Sequence, residues 1–214
     1  MARVKTLPSV TVIGDLVGSR VALDRGELHT LLRRALDDIN ERYDVDARIT
    51  VGDEYQGTFA TLGGALRATV DLRLALLPAA DLRHGIGRGD VRVLDEAERV
   101  QDGPGWWAAR DAIDEVQKEA SRAPTRRLRT AYRSADGAGG PDPIAVNAAL
   151  LGRDELIGRL SERSLSVLGG LLSGRSQREI ADAEGVSPSA VSQRVRHDGV
   201  GVIVAMTQRL GGLV

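Results

Sequence analysis

The order of apolar segments predicts an α+β protein, with a ferredoxin-like sandwich over residues 1–135 and a small all-α domain over residues 136–214 that carries a helix-turn-helix at about 176–197. Three observations carry this expectation. Strand-like and helix-like segments follow one another as βαββαβαβ up to Tyr132, with one tight hairpin among them. Residues 134–143 contain Gly137, Gly139, Gly140, Pro141 and Pro143, the composition of a linker. Beyond that stretch the apolar residues recur only at helical spacing.

Composition sets the outer bounds. A chain of 214 residues with 42% apolar content has ample material for a core. Its 29 basic and 30 acidic side chains leave a formal net charge of −1, so any binding to nucleic acid must come from a local patch. The chain has no cysteine, which excludes disulfides and thiolate-bound zinc. No run of about 18 apolar residues marks a membrane span, and the start Met1-Ala2-Arg3-Val4-Lys5 lacks the apolar centre of a signal peptide; a cytoplasmic protein is expected.

Residues 9–14 read as a buried strand, and Gly14-Asp15-Leu16-Val17-Gly18-Ser19-Arg20 as the loop leaving it. Gly14 and Gly18 would let backbone amides approach a ligand, with Ser19 and Arg20 as phosphate contacts. An amphipathic helix over residues 24–43 is signalled by Leu28, Leu31, Leu32, Ala35, Leu36 and Ile39, with Asp24 as its cap. The hairpin comes next, its strands meeting at Gly52-Asp53-Glu54. Its carboxylates face solvent or a metal ion; acidic residues also favour turns on their own account. If this hairpin neighbours the first strand, Asp15 and Asp53 converge, with Glu54 beside them. Paired carboxylates suit Mg²⁺ or Mn²⁺, whose remaining positions go to water and substrate phosphates. A second helix over residues 62–77 ends at Pro78, and residues 82–93 form a strand in which Gly85, Gly87 and Gly89 let another segment or a ligand lie against the backbone. A helix over residues 106–120 and a closing strand over 126–132 complete the first domain. His29 and His84 are isolated histidines.

In the helical part, Ser187 caps a helix with Pro188 at its first position after a turn at Gly185. Ile180, Val186, Val191 and Val195 form the core face. Ser189, Ala190, Ser192, Gln193, Arg194 and Arg196 point outward, and together with Ser187 they suit the major groove of double-stranded DNA. The alternative is a helical hairpin used for packing. One helix-turn-helix reads few bases, so a homodimer is expected.

Two resemblances follow from these motifs. Ile13-Gly14-Asp15-Leu16-Val17-Gly18-Ser19-Arg20, Gly52-Asp53-Glu54-Tyr55-Gln56-Gly57, Gly85-Ile86-Gly87-Arg88-Gly89 and Asp102-Gly103-Pro104-Gly105-Trp106-Trp107-Ala108-Ala109-Arg110 resemble, in order, the blocks of the SatD family. More distantly they resemble class III nucleotidyl cyclases and GGDEF palm domains. That resemblance implies metal-binding carboxylates at Asp15 and Asp53, a bound nucleotide, and a transition-state arginine at Arg110. It also implies an Asn where Trp106 stands and a base-selecting Lys that has no counterpart, since the only lysines are Lys5 and Lys118. Residues 160–196 resemble region 4 of sigma factors. The expectation is a DNA-binding transcriptional regulator whose palm-like domain senses a nucleotide or metal ligand or dimerizes. The alternative is a metal-dependent nucleotidyl cyclase or nucleotidyltransferase-like enzyme with an accessory DNA-binding module.

Overall fold

The computed structural model describes residues 8–18, 25–97 and 99–214. Asp24, Ser19 and Arg20 lie outside the described residues. A five-stranded sheet holds β1 (Pro8–Leu16), β2 (Arg48–Val51), β3 (Glu54–Phe59), β4 (Leu82–Asp90) and β7 (Thr130–Ser134) in the order β2-β3-β1-β4-β7. The first four strands are antiparallel and β7 joins parallel to β4. Helices α1 (Arg25–Tyr43) and α2 (Leu62–Leu76) cross between them, giving the split βαββαβ arrangement with one αβ unit added.

Alternation along the strands decides which layer covers each face. Val10, Val12 and Leu16 of β1, Tyr55 and Phe59 of β3, and Leu82 and Ile86 of β4 form one core with Leu32, Leu36 and Ile39 of α1 and Leu62, Leu66 and Leu72 of α2. The opposite face receives α3 (Pro104–Ala120), which lies over β4 and β1. Its approach depends on the glycines of β4. A Cβ at Gly87 would lie 2.1 Å from the Gly105 carbonyl oxygen, and one at Gly85 would lie 2.2 Å from that of Ala109. Thr11 of β1 donates to the same Gly105 oxygen at 2.9 Å, closing the contact. On this face β3 carries Glu54, Gln56 and Thr58, and β2 carries Arg48 opposite Gln56.

Several boundaries differ from the sequence expectation: the first strand continues through Asp15 to Leu16, so Asp15 is paired within β1 and not in a loop, and α3 begins at Pro104. The strand expected over residues 82–93 stops at Asp90, and an exposed hairpin of β5 (Arg92–Asp95) and β6 (Val100–Asp102) follows. Gly103 sits against Asp90, where a Cβ would lie 2.6 Å from the Asp90 oxygen, so the chain must leave the sheet there to start α3. The closing strand begins at Thr130 rather than Arg126. Before it, Arg127 donates to the Gly158 carbonyl at 3.0 Å, and Arg129 to Asp81 at 2.7 Å.

The helical part comprises α4 (Pro143–Ile157), α5 (Glu162–Leu172), α6 (Gln177–Glu184), α7 (Pro188–His197) and α8 (Val200–Gly211). It rests on the sheet unit. Asn147 of α4 accepts from the Tyr132 N–H at 2.8 Å and donates to the Tyr132 carbonyl at 2.9 Å, satisfying the edge of β7. Val70 of α2 belongs to the core of α5 to α8. Arg73 of α2, 1% exposed, donates to Asp154 of α4 at 3.0 Å and to Asp81 at 2.8 Å. Among the described residues no helix is long and apolar enough to cross a membrane.

Candidate functional site

Asp15 ends β1 on the face that α3 half covers. The β1–β4 register sets it opposite Arg83, whose guanidinium donates to both carboxylate oxygens, at 2.8 and 2.7 Å. The hairpin of β2 and β3 turns at Gly52 and Asp53 beside it, with Gly52 at φ +63°. That conformation is natural to glycine. Glu54, the first residue of β3, accepts from Arg110 of α3 at 2.8 Å and from the Gln56 amide at 3.2 Å.

The charges act on one another. Burial pushes the Asp15 carboxyl above its ordinary range against the pull of Arg83, and the charges of Asp53 and Glu54 push it further up. The Arg110 guanidinium is held more firmly protonated, chiefly by its bond to Glu54, with Asp114 and Asp15 adding to the effect. Asp15, Asp53, Glu54, Arg83 and Arg110 therefore form one electrostatic patch at the strand ends in the middle of the sheet. A cavity of about 280 Å³ opens next to it, between the start of α1 and the hairpin tip. Leu16, Leu28 and Leu32 line its interior, and Arg25, His29 and Asp53 its polar margin.

The donor set limits the kind of cation it could hold. Among the described residues no three His, Asp or Glu side chains gather closely enough to form an all-protein cage. Asp15 and Asp53 instead offer the one or two hard carboxylates that Mg²⁺ takes when phosphates and water complete its shell. Asp15 must then exchange Arg83 for the cation.

Other nominated residues have local roles. Gly14 is buried beneath Tyr55, whose ring would lie 2.3 Å from a Cβ there, so packing accounts for this glycine. Gly18 is exposed at φ +75°. His84 is fully buried edge-on to Tyr55, and burial and Arg73 hold its imidazole well below its usual range, so it stays neutral. Trp106, where the resemblance to cyclases implies an Asn, packs against Ile13, Ala109 and Ile113. Arg83 was not legible as a site residue, because only the strand register brings it to Asp15.

Helix α7 has the cap expected at Ser187, and α6 carries one that was not read from the sequence. Ser176 and Glu179 form a capping box on α6, Gly185 adopts φ +64°, and Ser187 accepts from the Ala190 N–H at 3.2 Å. Ser189 bonds Ser187 at 2.9 Å, Arg194 faces Asp198 at 3.9 Å, and Arg196 donates to the Ser192 carbonyl at 3.3 Å. Ile180, Ala181 and Val191 bury the helix pair against α5 and α8.

Residues 9–211 match the SatD family. Among curated proteins none matches. Solved structures similar to the chain include a bacterial light-regulated adenylyl cyclase, at 15% identity and TM-score 0.47 over 62% of this chain and 44% of that one. An adenylate/guanylate cyclase/hydrolase from Silicibacter pomeroyi is similar at 22% identity and TM-score 0.43, over 51% of this chain and 70% of its own. The guanylate cyclase domain of RhGC from Catenaria anguillulae, solved in complex with GTP, is similar at 22% identity and TM-score 0.41, over 51% and 74%. The chain thus spans less than half the length of the first of these.

These findings correct the regulator expectation. The family match runs unbroken through the helical part, which packs on α2 and β7 as part of the same unit and not as a separate recognition module. Neither a sigma-type region 4 nor double-stranded DNA as partner of Ser187, Ser189, Ala190, Ser192, Gln193, Arg194 and Arg196 is supported. Of the outward polar residues of α7, Ser187 and Ser189 serve the cap, and Arg194 and Arg196 make local contacts.

Proposed function

This chain belongs to the SatD family, and from that premise we propose that the strand ends around Asp15 are a nucleoside triphosphate site of the metal-dependent cyclase or nucleotidyltransferase kind. One observation carries the reading. Asp15, half buried, lies under the added negative charge of Asp53 and Glu54, with Arg83 as the cation bonded to it among the described residues, and Asp53 in turn borders an open cavity. Such a patch gains most from a divalent cation that brings phosphates with it.

Asp15 and Asp53 would hold the cation, which when bound neutralises phosphate oxygens as a Lewis acid. Arg83, released from Asp15, remains at the same place as a positive charge for the phosphate chain. Glu54 fixes the direction of Arg110, whose guanidinium suits the charge that grows on a transferring phosphoryl group. In such a transfer a hydroxyl oxygen bonds to the α-phosphorus as the bond to the pyrophosphate oxygen breaks, and the hydroxyl proton passes to water. Binding without turnover is the second reading, favoured by Trp106, which fills with packed indole the place where a cyclase carries a polar amide.

The test is incubation with each of the four nucleoside triphosphates and Mg²⁺ or Mn²⁺, with binding and products measured together. Cation-dependent binding with release of pyrophosphate, lost in Arg110→Ala while binding persists, is the expected outcome. Binding with no product selects the second reading. Absence of both from every combination contradicts the site.

A further inference from the structure

A second polar feature shares a strand with the proposed site. Glu54, Gln56 and Thr58 alternate along the face of β3 that α3 leaves open, and beyond Glu54 this row runs into a groove walled by Arg48, Arg99, Gln101 and Trp106. The groove is built rather than merely uncovered. Arg99, beside β6, donates to both Asp46 oxygens at 3.2 and 3.0 Å, and Arg48 donates to the Arg99 carbonyl at 2.7 Å, which ties the β5–β6 hairpin down along one side. Thr58 donates to the Gln101 Oε1 at 3.4 Å across the gap.

The two glutamines leave complementary groups free. Gln56 spends its amide N–H on Glu54, at 3.2 Å, so its carbonyl oxygen has no donor among the described residues. Gln101 accepts through its oxygen, and its NH₂ has no acceptor among them. A planar heterocycle with donors and acceptors on one edge answers both, and glutamine amides are well matched to base edges. Trp106 supplies an aromatic wall of the kind on which bases stack. Distance agrees as well. Alternate residues of a strand are about 6.8 Å apart, so Thr58 lies roughly 13 Å from Glu54, the reach of a nucleotide from its base to its phosphates.

We propose that this groove is the base subsite of the same ligand, and that Gln56 and Gln101 select a purine, whose two-ring edge spans from one amide to the other. The inference rests on the triphosphate reading above, and the experiment separates the two. Affinities for the four nucleoside triphosphates and for inorganic tripolyphosphate are measured with Mn²⁺ in the parent and in Gln56→Leu, Gln101→Leu and the double variant, with melting temperature as the check on folding. The parent should favour purine over pyrimidine triphosphates; each single variant should lose about five- to tenfold in purine affinity, as for one or two hydrogen bonds. Tripolyphosphate affinity should stay within twofold throughout. Tripolyphosphate binding with no base preference in the parent, or with a preference the variants keep, overturns the purine subsite and leaves the triphosphate site standing. If neither tripolyphosphate nor any triphosphate binds the parent, both fall.

Discussion

Asp15 and Arg83 show how one pair can be latent in a sequence and decided only by register. The acidic residue at a strand end was legible, and so was the hairpin that brings Asp53 and Glu54 to it. The arginine was not, because nothing in residues 82–83 says which residue of β1 they will face until the antiparallel pairing sets Asp15 against Arg83. Gly14 misled in the opposite way. A glycine at a strand end can serve a ligand or a neighbour, and here Tyr55 takes the space. The raised Asp15 carboxyl has a pH consequence. The folded chain holds that proton more tightly than the unfolded chain, so this group's contribution to stability falls as pH rises from the ordinary carboxylate range through the raised value. In Asp15→Asn that part of the slope should vanish, as melting temperature against pH will report. Replacing Arg83 with Ala removes the counter-charge, so the rise in melting temperature on adding Mn²⁺ should be larger in Arg83→Ala than in the parent; an equal or smaller rise counts against exchange at Asp15.

At the scale of elements, β4 and α3 are joined by the absence of side chains. The alternating glycines were readable as a surface for close approach, and the element that approaches is α3. What the sequence could not convey was the end of the strand at Asp90, since Val91 and Val93 continue the strand pattern and only the position of Gly103 forces the turn. Gly87→Ala puts a methyl group 2.1 Å from a backbone oxygen that belongs to a helix and cannot swing aside. Overpacking of this kind costs about 1–3 kcal/mol and sometimes more, and the midpoint of urea unfolding should fall accordingly. A Cβ at Gly52 meets nothing within 4 Å, so Gly52→Ala should show only the penalty of its positive φ, about 1–2 kcal/mol.

Across the whole molecule, the cap at Ser187 and the turn at Gly185 were read correctly as local geometry, and the partner inferred from that geometry was wrong. Helix pairs joined by a tight turn serve packing as readily as recognition, and function resides in a site rather than in a motif's shape. The decisive contacts join segments far apart in the chain, above all Arg73 with Asp154 and Asp81, and no spacing rule announces them. Removing one partner of a buried ion pair strands the other, at a cost of about 3–5 kcal/mol, so Asp154→Ala should lower the urea midpoint well below that of the parent. In the proposed function, the strand ends around Asp15 bind a triphosphate through a cation held by Asp15 and Asp53. Calorimetric titration of a non-hydrolysable nucleoside triphosphate into the protein, with Mn²⁺ and with chelator, in the parent and in Asp53→Ala, tests it most directly. Binding that requires Mn²⁺ and weakens at least tenfold in the variant is expected; equal binding by parent and variant, or none by the parent, would contradict it.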